Sequence, residues 1–131
     1  MNLVKTLDQV FSEFVRLRDA DENGYISCCY CGGPIYWRSA NNCHFVRRGN
    51  MATRWDESNC NGGHLQCNKE DDKIKYKTFI AFTYGVAKIV ELENLGRSEV
   101  KFTESDLKSK IAYFRAKVKE LKKVKNCERL F

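Results

Sequence analysis

The sequence predicts an α+β fold, in which a small zinc-bound core is preceded by one helix and followed by a helical extension. Apolar residues recur at helical spacing over residues 3–20, and again from residue 73 onward. Between them, the stretch 28–68 holds six of the seven cysteines and both histidines, a composition typical of a metal site. The expected divisions are an N-terminal helix packed on the core (1–22), the zinc-bound core (23–72) and a basic helical extension (73–131).

Length and charge fit a single domain with a polyanionic partner. A chain of 131 residues with 43% hydrophobic residues can bury a modest core, which a structural metal would stabilise. The net charge of +6 suits nucleic acid, although charge alone specifies neither fold nor base sequence. Residues 1–8 lack an apolar signal core, and no run is long enough to cross a membrane. We therefore expect a reducing cytoplasm, where clustered cysteines bind metal more often than they form disulfides.

The elements up to the end of the core follow from periodicity and turn signals. The first helix places its apolar residues on one face: Val4, Leu7, Val10, Phe11, Phe14, Val15 and Leu17. Asn23-Gly24 marks the turn that follows it. Within the core we expect a zinc knuckle at 28–33, short strands at 34–37 and 43–46, an irregular segment at 51–61 and a helix at 64–72.

The extension is predicted to be helical throughout. An apolar helix over 76–84 is interrupted at Gly85, and the helix after it ends at Gly96, which fits a C-terminal cap. The last helix begins at Thr103, an N-cap whose partner in a capping box would be Asp106. Its short apolar stripe predicts an intrachain packing face rather than a coiled coil: Leu107, Ile111, Phe114, Val118 and Leu121. The lysines on its other faces either clamp a DNA backbone or form a solvated surface.

Two short motifs supply candidate zinc ligands. Cys28 and Cys31 form Cys-x-x-Cys, and they are the first pair. His64 and Cys67 form His-x-x-Cys, and they are the second. Together the motifs offer three sulfur atoms and one nitrogen, which is a set that tetrahedral zinc accepts.

Neighbouring cysteines leave other ligand sets open. Cys29 adjoins Cys28, and Cys60 lies four residues before His64, so either could enter a different set. A further alternative is that these cysteines are small buried apolar residues. The remaining two cysteines are expected to stay free thiols: Cys43 and Cys127.

His44 is the histidine that remains once His64 is assigned to zinc. It precedes a short apolar run that ends in two arginines. Hydrolysis of a phosphodiester requires a base that activates water, a divalent cation and positive groups that position the backbone. A neutral histidine suits the first role. The alternative for a lone histidine is a structural residue with satisfied hydrogen bonds.

Motifs along most of the chain occur in a characteristic order: Leu7–Phe14, Val15–Asp21, Cys28-x-x-Cys31, Cys43–Arg48, Thr53–Asn59 and His64–Asn68. In these motifs the chain resembles the phage NinG (Rap) recombination proteins and, more broadly, the zinc-knuckle branch of the HNH nucleases. The resemblance extends over the tail from Tyr76 to Leu121. It implies a ββα-metal core, in which two strands and a helix surround one divalent ion.

The resemblance also implies roles for individual residues. His44 would be the general base that activates water, and Asn59 would fix the loop of the active site. Asn68 matches the final position that contacts the catalytic cation, usually Mg²⁺ or Mn²⁺, and Asn41 is a second candidate ligand. The arginines expected to contact DNA phosphates are Arg47, Arg48 and Arg54.

The chain departs from the family pattern at two places. The family usually has Cys where this chain has His64, although the register keeps this residue in a ligand position. Many HNH enzymes have Asp directly before the base, and the NinG-type pattern has an acid slightly further upstream, whereas this chain has Asn41-Asn42-Cys43. An Asn carbonyl is a weaker ligand than a carboxylate for a hard cation. The acids that could replace it are Asp56, Glu57, Glu70 and Asp71.

The expected function is that of a metal-dependent DNA endonuclease with a structural Zn²⁺ and a catalytic Mg²⁺ or Mn²⁺. The resemblance implies branched substrates such as a Holliday junction or a D-loop. It also implies phage origin, action in the cytoplasm of a bacterial host, and a homodimer. One alternative is a zinc-stabilised DNA-binding module without catalysis, because the acid before His44 is missing. Another is an extension that docks a recombination partner.

Overall fold

The computed structural model describes residues 2–125, so the predicted free thiol Cys127 and the end of the extension lie outside the described residues. This part of the chain forms six helices and four strands, and the strands all lie between the first helix and the third. They are α1 (Leu3–Asp19), β1 (Tyr25–Ser27), β2 (Pro34–Tyr36), β3 (Asn41–His44), α2 (Met51–Arg54), β4 (Cys60–Gly63), α3 (Leu65–Glu70), α4 (Lys73–Tyr84), α5 (Val86–Leu95) and α6 (Glu104–Lys125). The expected mixture of helices with small sheets is confirmed.

The strands form two antiparallel hairpins. β1 pairs with β2, with Ile26 opposite Ile35, and the turn between these strands is the expected knuckle. β3 pairs with β4, which places Asn41 opposite Gly63 and His44 opposite Cys60. The prediction that residues 51–61 are irregular was wrong at both ends, because α2 and the start of β4 lie there. Cys-Asn-Gly-Gly has no β propensity, and this strand is formed by its pairing with β3.

Helices α1 and α6 pack side by side and point in the same direction. Leu3 near the start of α1 lies close to Leu107 near the start of α6, and Phe11 packs edge-on against Phe114 with ring centroids 4.8 Å apart. The Nζ of Lys125 donates to the carbonyls that end α1: Leu17, Arg18 and Ala20. The apolar stripe of α6 is buried in this interface, so the prediction of an intrachain packing face is confirmed.

A second apolar cluster joins α4 and α5 to the β3–β4 hairpin. Tyr76 of α4 is fully buried, and its hydroxyl donates to the Cys43 carbonyl at 2.6 Å. The same hydroxyl accepts from Asn61 Nδ2 at 3.2 Å. At the other side of the hairpin, Asp19 at the end of α1 accepts from the Gly62 amide at 2.8 Å. The hairpin is therefore fixed by both its N-terminal and its C-terminal helical neighbours.

Two of the predicted helix ends are confirmed, and the conformation of a third differs from the prediction. The interruption at Gly85 is confirmed, and its φ of 95° is a value that favours glycine. The capping box of α6 is confirmed, because the Asp106 amide donates to Thr103 Oγ1 and the Thr103 amide donates to Asp106. Gly96 does end α5, but it is right-handed (φ −63°) rather than a left-handed cap. Within residues 2–125 no helix is long and apolar enough to cross a membrane.

Candidate functional site

Four side chains form a cluster that can hold a metal ion. The ligand atoms of the four predicted zinc ligands all lie within 4.8 Å of one another: Cys28, Cys31, His64 and Cys67. The first two lie in the turn that follows β1, and the last two flank the start of α3. Three sulfurs and one imidazole nitrogen suit a structural zinc ion. We call these four residues the metal cluster.

Hydrogen bonds around the metal cluster orient its ligands. His64 Nε2 lies 3.1 Å from the Pro34 carbonyl, which can only accept, so this nitrogen carries the proton. The lone pair is then on Nδ1, which lies 3.3 Å from Cys31 Sγ and 3.9 Å from Cys67 Sγ. A carbonyl partner of this kind is the usual support of a metal-ligating histidine.

The electrostatics of the thiols also favour a cation. A hydrogen bond from Cys29, together with backbone N–H donors, lowers the pKa of Cys28 far below that of an ordinary thiol. Burial and the adjacent Cys31 thiol raise the pKa of Cys67 to about 12, because another thiolate in this cluster would be repelled. A bound divalent cation removes that repulsion and stabilises all the thiolates together.

The rival cysteines lie outside the metal cluster. A Cβ on Gly63 of β4 would lie 3.2 Å or less from the sulfurs of Cys28, Cys29 and Cys43, so only glycine lets these side chains pack on the strand. Cys60 is fully buried, with its sulfur 3.5 Å from the Arg54 carbonyl. Cys29 and Cys60 therefore fit the alternative of small buried apolar residues, and Cys43 is a free thiol as expected.

A cleft of about 680 Å³ is lined in part by Asn68, the residue that follows Cys67 of the metal cluster. Five predicted functional residues line it: Asn41, His44, Arg47, Arg48 and Asn68. The other lining residues are Asp8, Ser12, Arg16, Arg38, Ala40, Asn42 and Asp71. The structure thus brings the candidate base, the candidate cation ligands and two of the three candidate phosphate-binding residues to one place.

The environment of His44 keeps its imidazole neutral and fixes its tautomer. His44 Nε2 lies 3.0 Å from the Arg54 carbonyl, which can only accept, so the neutral ring carries its proton on this nitrogen. The lone pair is therefore on Nδ1. Burial lowers the pKa of His44 below its usual value, and this effect exceeds the opposing influence of the Arg54 carbonyl and Asp8. At neutral pH the ring is thus an acceptor.

Arg54 is the predicted phosphate-binding residue that the structure places elsewhere. Its guanidinium donates to both carboxylate oxygens of Asp8, at 3.0 Å and 2.6 Å, and to the Arg48 carbonyl at 3.2 Å. These bonds keep the side chain off the cleft lining. They order the segment whose carbonyl orients His44. Burial raises the pKa of Asp8, but the hydrogen bonds from Arg54 and Trp55 outweigh it and lower that pKa overall.

The comparison with family models covers every described residue. The model for the Bacteriophage Lambda NinG protein matches residues 1–125. The chain belongs to the NinG family. No curated protein and no solved structure matches it. The NinG match includes the metal cluster and every residue that lines the cleft.

Asn59 closes the loop between β3 and β4 of this NinG-family chain. It is fully buried, and its Oδ1 accepts from the Val46 amide at 2.8 Å. Its Nδ2 donates to the carbonyls of Val46 and Thr53, at 3.1 Å and 3.0 Å. The side chain does not line the cleft. Its amide group holds the end of the strand that carries His44 and the segment whose carbonyl orients His44. Asn59 therefore positions the histidine and does not contact the cleft itself.

Replacing Asn59 is expected to loosen this loop. Asn59→Ala removes three hydrogen bonds and leaves polar groups unpaired, so the free energy of unfolding should fall by about 3 kcal/mol. Ser58→Ala is the matched control, since the Ser58 hydroxyl, among the described residues, hydrogen-bonds within the neighbouring turn to Asp56 and does not hold the loop. Denaturant unfolding of both variants measures the difference. An Asn59→Ala protein as stable as Ser58→Ala would show that the amide does not hold the loop.

Sequence reasoning missed several residues that line the cleft of the NinG-family chain. Asp8, Ser12 and Arg16 come from α1, where their spacing of four residues places them on one face. This polar stripe was the available signal. No pattern in the sequence points to Arg38. Its guanidinium carbon lies 4.9 Å from the centroid of the Trp37 ring, and that of Arg16 lies 5.7 Å from the same ring. The cleft therefore carries arginines from three separate segments.

Proposed function

We propose that this NinG-family chain is a metal-dependent DNA endonuclease of the HNH type. The proposal rests on the environment of His44. This neutral histidine has its tautomer fixed by the Arg54 carbonyl, and it lies in a cleft lined by four arginines. Such a histidine can accept a proton from water, and arginine binds phosphate oxygens with paired donors. Membership of the NinG family supports a phage function related to recombination.

The order of the elements supports the HNH assignment. β3 carries His44, β4 returns antiparallel to it, and α3 follows at once. Two strands and a helix in this order match the ββα-metal core that the sequence motifs imply. The metal cluster joins the start of α3 to the β1–β2 knuckle, so it would hold the helix against the rest of the core.

The oxygen atoms of the cleft fit a catalytic Mg²⁺ or Mn²⁺. Asn41 and Asn68 offer amide carbonyls, and Asp71 offers a carboxylate. Mg²⁺ and Mn²⁺ prefer such oxygen ligands. In addition, Oδ1 of Asn42 is buried and lacks a hydrogen-bond partner within residues 2–125. A buried acceptor without a donor costs about 1–3 kcal/mol, which a cation or its bound water would offset.

In the proposed mechanism each protein group has a separate task. The water oxygen bonds to phosphorus as the ester bond to the leaving sugar oxygen breaks, and that oxygen takes a proton from solvent. His44 Nδ1 accepts the proton from the attacking water, while Nε2 keeps its bond to the Arg54 carbonyl. Arg47 and Arg48 hold the phosphate, and Arg16 and Arg38, which line the same cleft, contact the neighbouring backbone. When bound, the divalent cation stabilises negative charge on the phosphate. Asn59 and Asp8 position the base through the loop and through Arg54.

A cleavage assay tests the proposal. A synthetic four-way junction and a linear duplex of the same arm sequence are incubated with the zinc-loaded protein and Mg²⁺ or Mn²⁺. The junction should be cut, and faster than the duplex, in keeping with a substrate of recombination; a homodimer would suit such a two-sided substrate. Binding of the junction without cleavage in either metal would refute the nuclease and favour the alternative, a zinc-stabilised DNA-binding module without catalysis.

A further inference from the structure

The geometry points to Asp71 as the carboxylate ligand of the divalent cation in the cleft. It would replace the acid that the stretch Asn41–Cys43 lacks. This inference deepens the proposed nuclease function and rests on it for the presence of a catalytic cation. Asp71 lines the cleft, one of its oxygens is held by two donors, and the other nearby acids are hydrogen-bonded elsewhere or lie outside the cleft.

Asp71 occupies the right position for this role. It is the C-cap residue of α3 and lies three positions after Asn68 in the chain. Both line the cleft together with Asn41 and His44. Asp71 has a left-handed backbone (φ 49°, ψ 53°), and it is the one non-glycine residue with positive φ among residues 2–125. Aspartate tolerates this conformation better than most residues.

One oxygen of the Asp71 carboxylate is held by two donors. The Tyr30 hydroxyl donates to Oδ1 at 2.7 Å, and Lys73 Nζ lies 3.0 Å from the same atom. Lys73 also donates to the carbonyl of Phe45, the residue directly after His44. The carboxylate is therefore fixed beside the end of β3. Its second oxygen, Oδ2, has no hydrogen-bond or ion-pair partner in the described part of the chain.

Lys73 holds the carboxylate without entering the cleft. Its ammonium lies 5.2 Å from the centroid of the Phe45 ring and is not among the groups that line the cavity. The Tyr30 hydroxyl donates to the same carboxylate oxygen as Lys73 does. Together these donors fix Oδ1, and Oδ2 remains available to a cation.

The other acids near the cleft are engaged or distant. Asp8 lines it, but Arg54 donates to both of its oxygens. Asp56 accepts from the amides of Ser58 and Asn59 in a turn. Neither Asp56, Glu57 nor Glu70 lines the cavity. Of the four acids that the sequence offered as replacements, Asp71 is the one that reaches the cleft.

Binding of Mn²⁺ to the zinc-loaded protein without DNA tests this inference, with the free-Mn²⁺ electron paramagnetic resonance signal as the readout. Asp71→Asn keeps a residue that tolerates left-handed φ and an acceptor for Tyr30, but it loses the charge. It should weaken Mn²⁺ binding by at least about 10-fold, the lower range seen when support of a metal site is removed. Adding Asn41→Asp to this variant should restore binding, because it returns a carboxylate to the cleft.

Asp72→Asn is the matched control. Asp72 caps α4 by accepting from the amides of Ile74 and Lys75, and Asn caps equally well, so this variant loses one charge beside Asp71 and keeps the fold. Its Mn²⁺ affinity should equal that of the wild type. Zinc content and melting temperature of every variant verify folding. Equal Mn²⁺ binding by Asp71→Asn and wild type, or no binding by wild type, overturns the assignment.

Junction cleavage measured in parallel separates the two proposals. If Asp71→Asn loses Mn²⁺ while the wild type binds it but cuts no DNA, the cation site stands and the nuclease is refuted. If the wild type cuts and Asp71→Asn binds Mn²⁺ unchanged, the nuclease stands and Asp71 is refuted as a ligand.

Discussion

His44→Ala is expected to lower the rate of junction cleavage by about 100- to 10,000-fold, the usual contribution of a general base. The variant loses the only ring that the cleft offers as a proton acceptor among its lining residues. Binding of the junction should persist, because the arginines remain in place. Cleavage and binding are measured on the same protein preparation. A variant that cuts as fast as the wild type would refute the assignment of the base.

The rate of the same reaction is expected to depend on pH through the protonation of His44. The base must be neutral, and burial lowers the pKa of His44 below 6.5. The rate should therefore rise with pH, reach half its maximum below pH 6.5 and stay level through neutrality. Protonation below that pKa removes the acceptor and the activity together. A half-maximal rate well above pH 7 would indicate a different group.

Loss of the metal cluster is expected to remove the folded core. Cys28→Ser/Cys67→Ser should bind no zinc, whereas the wild type should bind one equivalent. A structural zinc site contributes roughly 10–16 kcal/mol in small domains, as much as the whole stability of a typical protein. None of residues 65–70 of α3 is buried, and a helix of six residues is not stable alone, so we expect a zinc ion bound by the metal cluster to be its main support.

Zinc content and thermal unfolding measure this effect. Cys29→Ala is the matched control, because Cys29 adjoins the ligand Cys28 but lies outside the metal cluster. It should keep one zinc and a cooperative transition, at a small loss for the cavity. If the double variant retained both zinc and the cooperative transition, the four residues would not be the ligands.

The sequence predicted the features that depend on residues close together in the chain. The spacing of three residues in Cys28–Cys31 and His64–Cys67 places two ligands in one turn, so the metal cluster could be found without a fold. The same holds for the capping box at Thr103. These features depend on residues within one turn of the chain.

Contacts between distant segments could not be predicted in this way. Strand β4 has no pattern of its own and depends on β3. Arg54 looks like a phosphate-binding residue in sequence, yet its partner Asp8 lies 46 residues away. In the sequence Asp71 was one of four equivalent acids, and the structure distinguished it by placing it in the lining of the cleft. The missing information in each case was which side chains the tertiary structure brings together.

The parallel pairing of α1 and α6 has a consequence for the order in which the protein is built. Helix α1 supplies Asp8 to the segment that orients His44, yet its apolar face is covered by α6, and Lys125 caps its final carbonyls from more than 100 residues away. Helix α1 leaves the ribosome before α6. Contacts of such long sequence separation form late and together. We therefore expect the cleft to reach its final shape only after residue 125 has left the ribosome, so that a partly synthesised chain lacks the supported position of His44.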